Sequence, residues 1–226
     1  MTRNILAVFG LISFLVLPQS TSANVLTNGD FESPAIFEVF DIPAGSTFIT
    51  GWTVTSVSVD LTTTACCFPA FSGNQAVDLV GSHTTGGLTQ TFATIPGQIY
   101  DLTFAYSHNY TASVSAGGPF ITSASASVSV TDSSNNSLLS NTVTHTNANP
   151  LPDYQIFSQL FTADTVMTTL TIQNLTGGFN GGIYLDDVSV DPVNAVVPLP
   201  AALPLFATGL GALALLGWRR KRKAVA

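Results

Sequence analysis

The chain has 226 residues, of which 46% are hydrophobic and only 8% are charged. All 13 Asp and Glu residues lie between Asp30 and Asp191, whereas no Lys or Arg occurs between Arg3 and Arg219. Nucleic acid is excluded as a partner of this central part, because phosphate binding needs cationic groups that it does not offer.

The start of the chain has the three-part layout of a secretory signal. Arg3 precedes a continuous apolar stretch from Ile5 to Leu17, and small residues follow up to Ala23. This layout predicts a helical signal peptide over residues 1–23, with cleavage between Ala23 and Asn24. The remaining exported part, residues 24–192, has the size of one domain and can bury its own core.

The composition of residues 24–192 predicts an all-β fold. This part is rich in Thr, Ser, Val, Phe and Gly, and turn-forming residues interrupt it about every eight to twelve residues. Apolar and polar residues alternate, as expected for sheets with one buried face, so two sheets should form a sandwich. The predicted strands are 52–59, 75–80, 88–92, 99–106, 124–130, 154–161, 166–173 and 183–190.

The cysteines and histidines give weak signals. Cys66 and Cys67 are adjacent, and a disulfide between neighbours is strained, so intermolecular pairing stays open beside it. His83, His108 and His145 are widely separated, which favours solvated loop histidines over a zinc site.

The chain carries no nucleophile elbow, zinc-protease motif or phosphate-binding glycine loop, which predicts a non-enzymatic protein. One alternative is a polysaccharide hydrolase that uses Asp78 and Asp101. It requires these two carboxyl groups to lie about 5 to 9 Å apart.

The C-terminal part has the pattern of a membrane anchor. Residues 193–200 form a Pro-containing linker, and the uncharged segment 201–218 is about 27 Å long as a helix, close to the thickness of a hydrocarbon core. The five basic residues Arg219, Arg220, Lys221, Arg222 and Lys223 then predict a cytoplasmic tail over 219–226, with the β-domain on the other side of the membrane.

A short motif precedes this segment and consists of Val197, Pro198, Leu199, Pro200 and Ala201. Together with the apolar segment and the basic stop, it resembles the C-terminal sorting signal of PEP-CTERM proteins in its VPLPA variant. The resemblance implies a bacterial cell-envelope protein that is processed by a membrane-embedded exosortase-like enzyme. An ordinary single-span anchor is the alternative, and both retention in the membrane and release to the surface or matrix stay open.

Several motifs of the central domain occur in a characteristic order. They are 28–32, the pair Gly51-Trp52, 74–79, 87–92, 96–104 and 184–190. The series resembles the galactose-binding-like jelly rolls of exported "choice-of-anchor" proteins and several carbohydrate-binding modules. It implies a surface or extracellular-matrix protein whose β-sandwich binds polysaccharide.

The same resemblance implies a structural Ca²⁺ between the first and last strands. Glu32 and Asp186 would supply carboxylates and Asp30 a backbone carbonyl, with Asp187 in place of Asp186 if the register shifts by one. The alternative is that Glu32 and Asp186 accept hydrogen bonds from the backbone at strand ends. A calorimetric titration with Ca²⁺ distinguishes the two, since only the first predicts binding heat.

A sugar site needs aromatic faces and polar side chains. Candidates are Tyr106, Asn109, Tyr110 and Phe120 around the predicted loop 107–120, whereas Trp52 is expected to be buried. A structural or adhesive matrix role, using Ser/Thr-rich surfaces such as 122–129, is the alternative that needs no ligand pocket.

Overall fold

The described part of the protein is a two-layered β-sandwich. Its computed structural model describes residues 23–65, 69–81, 85–108, 122–146, 152–176 and 181–193. The strands within these ranges are β1 (Phe40–Pro43), β2 (Thr53–Ser56), β3 (Ser58–Thr63), β4 (Gln75–Asp78), β5 (Gly86–Ala93), β6 (Ile99–His108), β7 (Ser123–Asp132), β8 (Ser137–Thr146), β9 (Gln155–Thr162), β10 (Met167–Thr176) and β11 (Ile183–Pro192).

The strands form two antiparallel sheets. One has six strands in the order β1-β3-β4-β11-β6-β9, and the other has five in the order β2-β5-β10-β7-β8. Apolar side chains from both sheets fill the space between them. The prediction of an all-β jelly-roll sandwich is therefore confirmed.

Strict alternation in the sequence produces the buried layer. Along β7 the residues Ala124, Ala126, Val128 and Val130 are buried, and the Ser residues between them are only half-buried. Successive Cβ atoms of a strand point to opposite sheet faces, so this spacing directs every second residue inward. Each large aliphatic side chain buried in this way, such as Leu170 of β10, stabilises the fold by about 1.5–3 kcal/mol.

Three details differ from the predicted strands. The segment 52–59 forms two strands, because the chain turns at Ser56, whose φ is 65°, and passes from the five-stranded to the six-stranded sheet. Strand β1 was not predicted, since it has only four residues and ends at a proline. Strand β8 was missed because its sequence is mainly polar and lacks regular alternation. Both are edge strands. Their extent is set by pairing with the neighbouring strand and not by a pattern in their own sequence.

The prediction of solvated histidines is wrong for the two that the structure describes. His108 and His145 are both buried, at the ends of β6 and β8. Both lie on the core side of their strands, and His145 Nε2 is 2.5 Å from the backbone oxygen of Asp153. His83 lies outside the described residues.

Other predicted features also lie outside the described residues. They are residues 1–22 of the signal peptide, Cys66, Cys67, the VPLPA motif, the segment 201–218 and the basic tail. Within the described ranges, no helix has the length and apolar character needed to cross a membrane. Asn24, at the predicted cleavage point, is joined to β11 through hydrogen bonds with the backbone of Val188 and Val190.

Candidate functional site

An aromatic cleft lies beside the edge strand β1. We call it the phenylalanine cleft; it has a volume of about 410 Å³ and is lined by Ala35, Ile36, Phe37, Glu38, Phe40 and Phe48. Phe37 is 92% exposed, and the rings of Phe40 and Phe48 stack with centroids 5.6 Å apart. Exposed aromatic rings grouped in this way are costly to hydrate, which makes the phenylalanine cleft a candidate binding surface.

Gln75 positions the segment that leads into the phenylalanine cleft. Its side chain is buried, and its amide nitrogen donates to the carbonyls of Phe31 (2.5 Å) and Pro34 (3.1 Å). Its amide oxygen accepts a hydrogen bond of 2.6 Å from the backbone N–H of Ile36. One side chain at the start of β4 therefore holds the backbone on both sides of Ala35.

A second set of hydrogen bonds joins this segment to the loop that carries Phe48. The Asn28 amide donates to the carbonyls of both Ser33 and Thr50, and the Thr50 N–H donates to the Ser33 carbonyl. Trp52 is buried next to this contact and donates from Nε1 to the Asn28 carbonyl over 3.0 Å. These hydrogen bonds thus connect the segments that carry the two walls of the phenylalanine cleft.

The outer face of the six-stranded sheet carries a row of carboxylates, here called the acidic face. Asp41, Asp60 and Asp78 are register partners on β1, β3 and β4, and Asp78 pairs next with Tyr184 on β11. The strands that carry adjacent members of the row are therefore about 4.8 Å apart. Burial, and to a lesser extent the Asp41 carboxylate, raise the pKa of Asp60 to about 7.

Asp186 attaches the 71–75 segment to the acidic face, and Glu32 attaches it to the segment that precedes β1. Asp186 Oδ2 accepts a hydrogen bond from the Ser72 N–H, and Glu32 Oε1 accepts two from the N–H groups of Asn74 and Gln75. Burial raises the pKa of Asp186 to about 7, although hydrogen bonds from the backbone favour its charged form.

The predicted Ca²⁺ ligands differ in their surroundings. Glu32 and Asp186 both contact the 72–75 backbone, whereas Asp30 is exposed and Asp187 points out of β11 at a bulge with φ of 52°. The described residues contain no group of three or more His, Cys, Asp and Glu side chains arranged as a metal site. Ca²⁺ binding stays a prediction, with the calorimetric titration as its test.

Tyrosines lie under the 69–75 segment on the acidic face. Tyr184 is buried with its hydroxyl against Thr62 Oγ1, and burial raises its pKa well above the usual value. Tyr154 donates from its hydroxyl to the Pro69 carbonyl and packs edge-on against Phe71, which is 46% exposed. This segment therefore covers the centre of the acidic face and leaves one aromatic ring at the surface.

The predicted hydrolase pair does not form. Asp78 and Ser107 both pair with Tyr184 across neighbouring strands, and Asp101 lies six residues before Ser107 on β6. At about 3.3 Å per residue along β6, Asp101 is about 20 Å from the position that is level with Asp78. The two carboxyl groups of a glycosidase pair lie much closer together than this.

Of the predicted sugar-binding residues, the structure describes only Tyr106. It is buried on the core side of β6, donates from its hydroxyl to Gln155 Oε1, and has its pKa raised by burial. Asn109, Tyr110 and Phe120 lie outside the described residues. Reasoning from the sequence missed the phenylalanine cleft, although three exposed Phe residues within 37–48 show no strand alternation and could have indicated it.

The outer face of the five-stranded sheet is uncharged and covered with hydroxyl groups; we call it the hydroxyl face. Its members are Thr53, Thr55, Thr89, Thr91, Ser125, Ser127, Ser129, Thr131, Ser140, Thr142, Thr144, Thr169 and Thr171. Neighbouring hydroxyls bond across strands, with 2.9 Å between Thr89 and Thr171 and 2.8 Å between Thr91 and Thr169. No outer-facing position of these described strands carries a charge.

Residues 24–190 match the family described as "Protein of unknown function (DUF642)". The chain belongs to the DUF642 family. A relative of this DUF642 chain is Halomucin from Haloquadratum walsbyi, with 29% identity over 208 residues. That match covers 86% of this chain, which spans only about 2% of the length of Halomucin.

Solved structures show that the DUF642 domain shares its sandwich with sugar-related proteins. TmCBM61, in complex with β-1,4-galactotriose, is 16% identical with a TM-score of 0.50, and the match covers 76% of this chain and 100% of that one. Arabinose-bound MgGH51 α-L-arabinofuranosidase is 14% identical with a TM-score of 0.50, and the match covers 76% of this chain and 26% of that one. At these identities the likeness concerns the fold.

Proposed function

We propose that this chain is a non-enzymatic surface or extracellular-matrix protein whose β-sandwich binds polysaccharide in the phenylalanine cleft. The observation that carries the proposal is the group of exposed rings Phe37, Phe40 and Phe48 around one cavity. Sugar rings present C–H faces that pack on aromatic side chains, and Glu38 is placed to accept hydrogen bonds from their hydroxyls.

The fold likeness supports this proposal. TmCBM61 was solved with a galactose trisaccharide and has the same sandwich architecture. Because a shared fold can serve unrelated functions, the proposal depends on the site of this chain and needs a direct test.

Binding of soluble polysaccharides to the full-length protein tests the proposal. The protein is purified in a detergent without a sugar headgroup, and its mobility is measured in gels that contain a panel of neutral, acidic and amino polysaccharides. We expect retardation by at least one of them, and about a tenfold loss of affinity in the double variant Phe37→Ala/Phe48→Ala, since two stacking faces are removed.

Ile95→Ala is the matched control, because Ile95 is 67% exposed but is not in the phenylalanine cleft. This variant should bind like the wild type. If no polysaccharide retards the wild-type protein, or if both variants bind equally well, the proposed function is wrong.

The proposal also includes the sorting route. A signal peptide over 1–23 would deliver the chain to the export pathway, and the VPLPA-type signal would direct the β-domain outside the cytoplasm to an exosortase-like enzyme. The support is the order of motif, apolar segment and basic stop in the sequence.

The hydroxyl face favours a second candidate function, that of an adhesive matrix component without a ligand pocket. Its hydroxyls form rows on a charge-free surface, which suits contact with other uncharged, hydroxylated surfaces. Substitutions of Thr89 and Thr171 by Val would weaken matrix retention if this candidate is correct, and would leave binding in the phenylalanine cleft unchanged.

A further inference from the structure

We infer that the polysaccharide bound in the phenylalanine cleft carries protonated amino groups, as in a partly deacetylated hexosamine polymer. This inference rests on the proposed function and specifies its ligand class. It comes from the charges of the domain and from the position of Glu38 in the cleft wall.

The charge of the domain disfavours acidic glycans. The stretch between Arg3 and Arg219 has 13 carboxylates and no Lys or Arg, and the described histidines His108 and His145 are buried. Among the described residues, a uronate or sulfate group would therefore meet no exposed cationic side chain. Repulsion from the surrounding carboxylates would lower its affinity further.

The phenylalanine cleft itself offers two interactions to an ammonium group. Glu38 is exposed and lines the cleft together with Phe37, the most exposed of the rings. The ring of Phe37 and the outer faces of the stacked pair Phe40 and Phe48 can attract cations through their ring quadrupoles and pack against the C–H face of a sugar. A neutral sugar would use the packing and hydrogen bonds from its hydroxyls to Glu38, whereas an amino sugar would add a charge-assisted hydrogen bond to Glu38 and the attraction of its ammonium to the ring faces.

The test is calorimetry of the full-length protein, in a detergent without a sugar headgroup, at a mildly acidic pH. The probes are β-1,4-linked oligomers of equal length made of glucosamine, N-acetylglucosamine or a uronate. We expect the glucosamine oligomer to bind about tenfold more tightly than the acetylated one, and the uronate oligomer not to bind.

Two substitutions that each remove one negative charge show which carboxylate causes the preference for the glucosamine oligomer. Glu38→Gln should remove the preference for the glucosamine oligomer and keep the affinity for the acetylated one. Asp164→Asn should keep the preference, because Asp164 is exposed beyond β9, at the opposite edge of the six-stranded sheet. Thermal unfolding confirms that both variants are folded.

Several outcomes would overturn the inference. Equal binding of both hexosamine oligomers would leave the proposed function standing and refute the ligand class. Binding of the glucosamine oligomer that survives Phe37→Ala/Phe48→Ala, or that weakens equally in Asp164→Asn, would indicate attraction to the acidic surface as a whole. Absence of binding to every glycan, including neutral ones, would refute the proposed function itself.

Discussion

At the residue scale, Asp60 illustrates how the acidic face opposes folding at neutral pH. Its Oδ1 is buried and has no hydrogen-bond partner among the described residues, and Asp41 adds a like charge. The folded-state pKa of about 7 lies above the usual value of 3.8, so the folded protein binds a proton that the unfolded chain releases. The stability of the fold should therefore fall as the pH rises from about 4 to above 7.

We therefore expect Asp60→Asn to stabilise the protein at alkaline pH. At about pH 8 the substitution removes a half-buried charge, and after allowance for solvent screening we expect a gain of about 1–2 kcal/mol in the free energy of unfolding. Near pH 4 most of this gain should be lost, because Asp60 is then protonated in the folded state and only partly ionised in the unfolded state. Chemical denaturation at both pH values measures the difference.

Asp164→Asn is again a suitable control, since Asp164 is exposed and its replacement should change the stability little at either pH. The contrary outcome is that Asp60→Asn destabilises the protein by the same amount at both pH values. In that case the Asp60 charge would not be the cause of the lower free energy of unfolding at alkaline pH.

Single residues were predicted with uneven success. Trp52 is buried as expected, because a large aromatic residue in a strand pattern usually belongs to the core. The lack of strand alternation around Phe37 and Phe48 was a hint in the sequence, but their exposure was not predicted, since exposure depends on which loop covers which ring. The burial of His145 was equally hidden, because its inward position on β8 follows from pairing with β7.

At the scale of elements, the loop that forms the phenylalanine cleft depends on a side chain from strand β4. Gln75→Met keeps the volume but removes three hydrogen bonds, including those to the Ile36 N–H and the Pro34 carbonyl. We expect a loss of about 2–4 kcal/mol of stability in urea unfolding, because buried backbone groups lose their partners. The affinity for polysaccharide should fall as well, since the cleft wall loses its support.

Gln98→Met provides the matched comparison. Gln98 also bonds to backbone carbonyls, of Ile99 and Val193, but at an exposed turn, so its loss should cost little stability and no affinity. Normal glycan affinity in Gln75→Met would show that the cleft does not depend on this contact.

At the scale of the whole molecule, the proposed sorting route predicts the composition of the mature protein. Mass spectrometry of the protein isolated from cells should show a chain that begins at Asn24 and ends near the segment 197–201. Such a chain would have lost all six Lys and Arg residues and kept all 13 carboxylates. Its electrophoretic mobility should therefore change as well as its mass.

Substitution of Pro198 and Pro200 by Ala is the corresponding perturbation, because it removes the extended character that prolines impose on the motif. Processing should then stop and the basic tail should be retained. A wild-type protein that still contains Lys223 would instead support an ordinary membrane anchor.

The sequence by itself determined the fold class, because strand alternation is a local pattern that each segment displays without its partners. It also determined the charge of the domain, which depends on composition alone. Only the tertiary structure decided which residues meet. The alignment of Asp41, Asp60 and Asp78 follows from strand register, and the phenylalanine cleft follows from hydrogen bonds between loops separated in sequence. Register and loop contacts are long-range properties, so no local pattern encodes them.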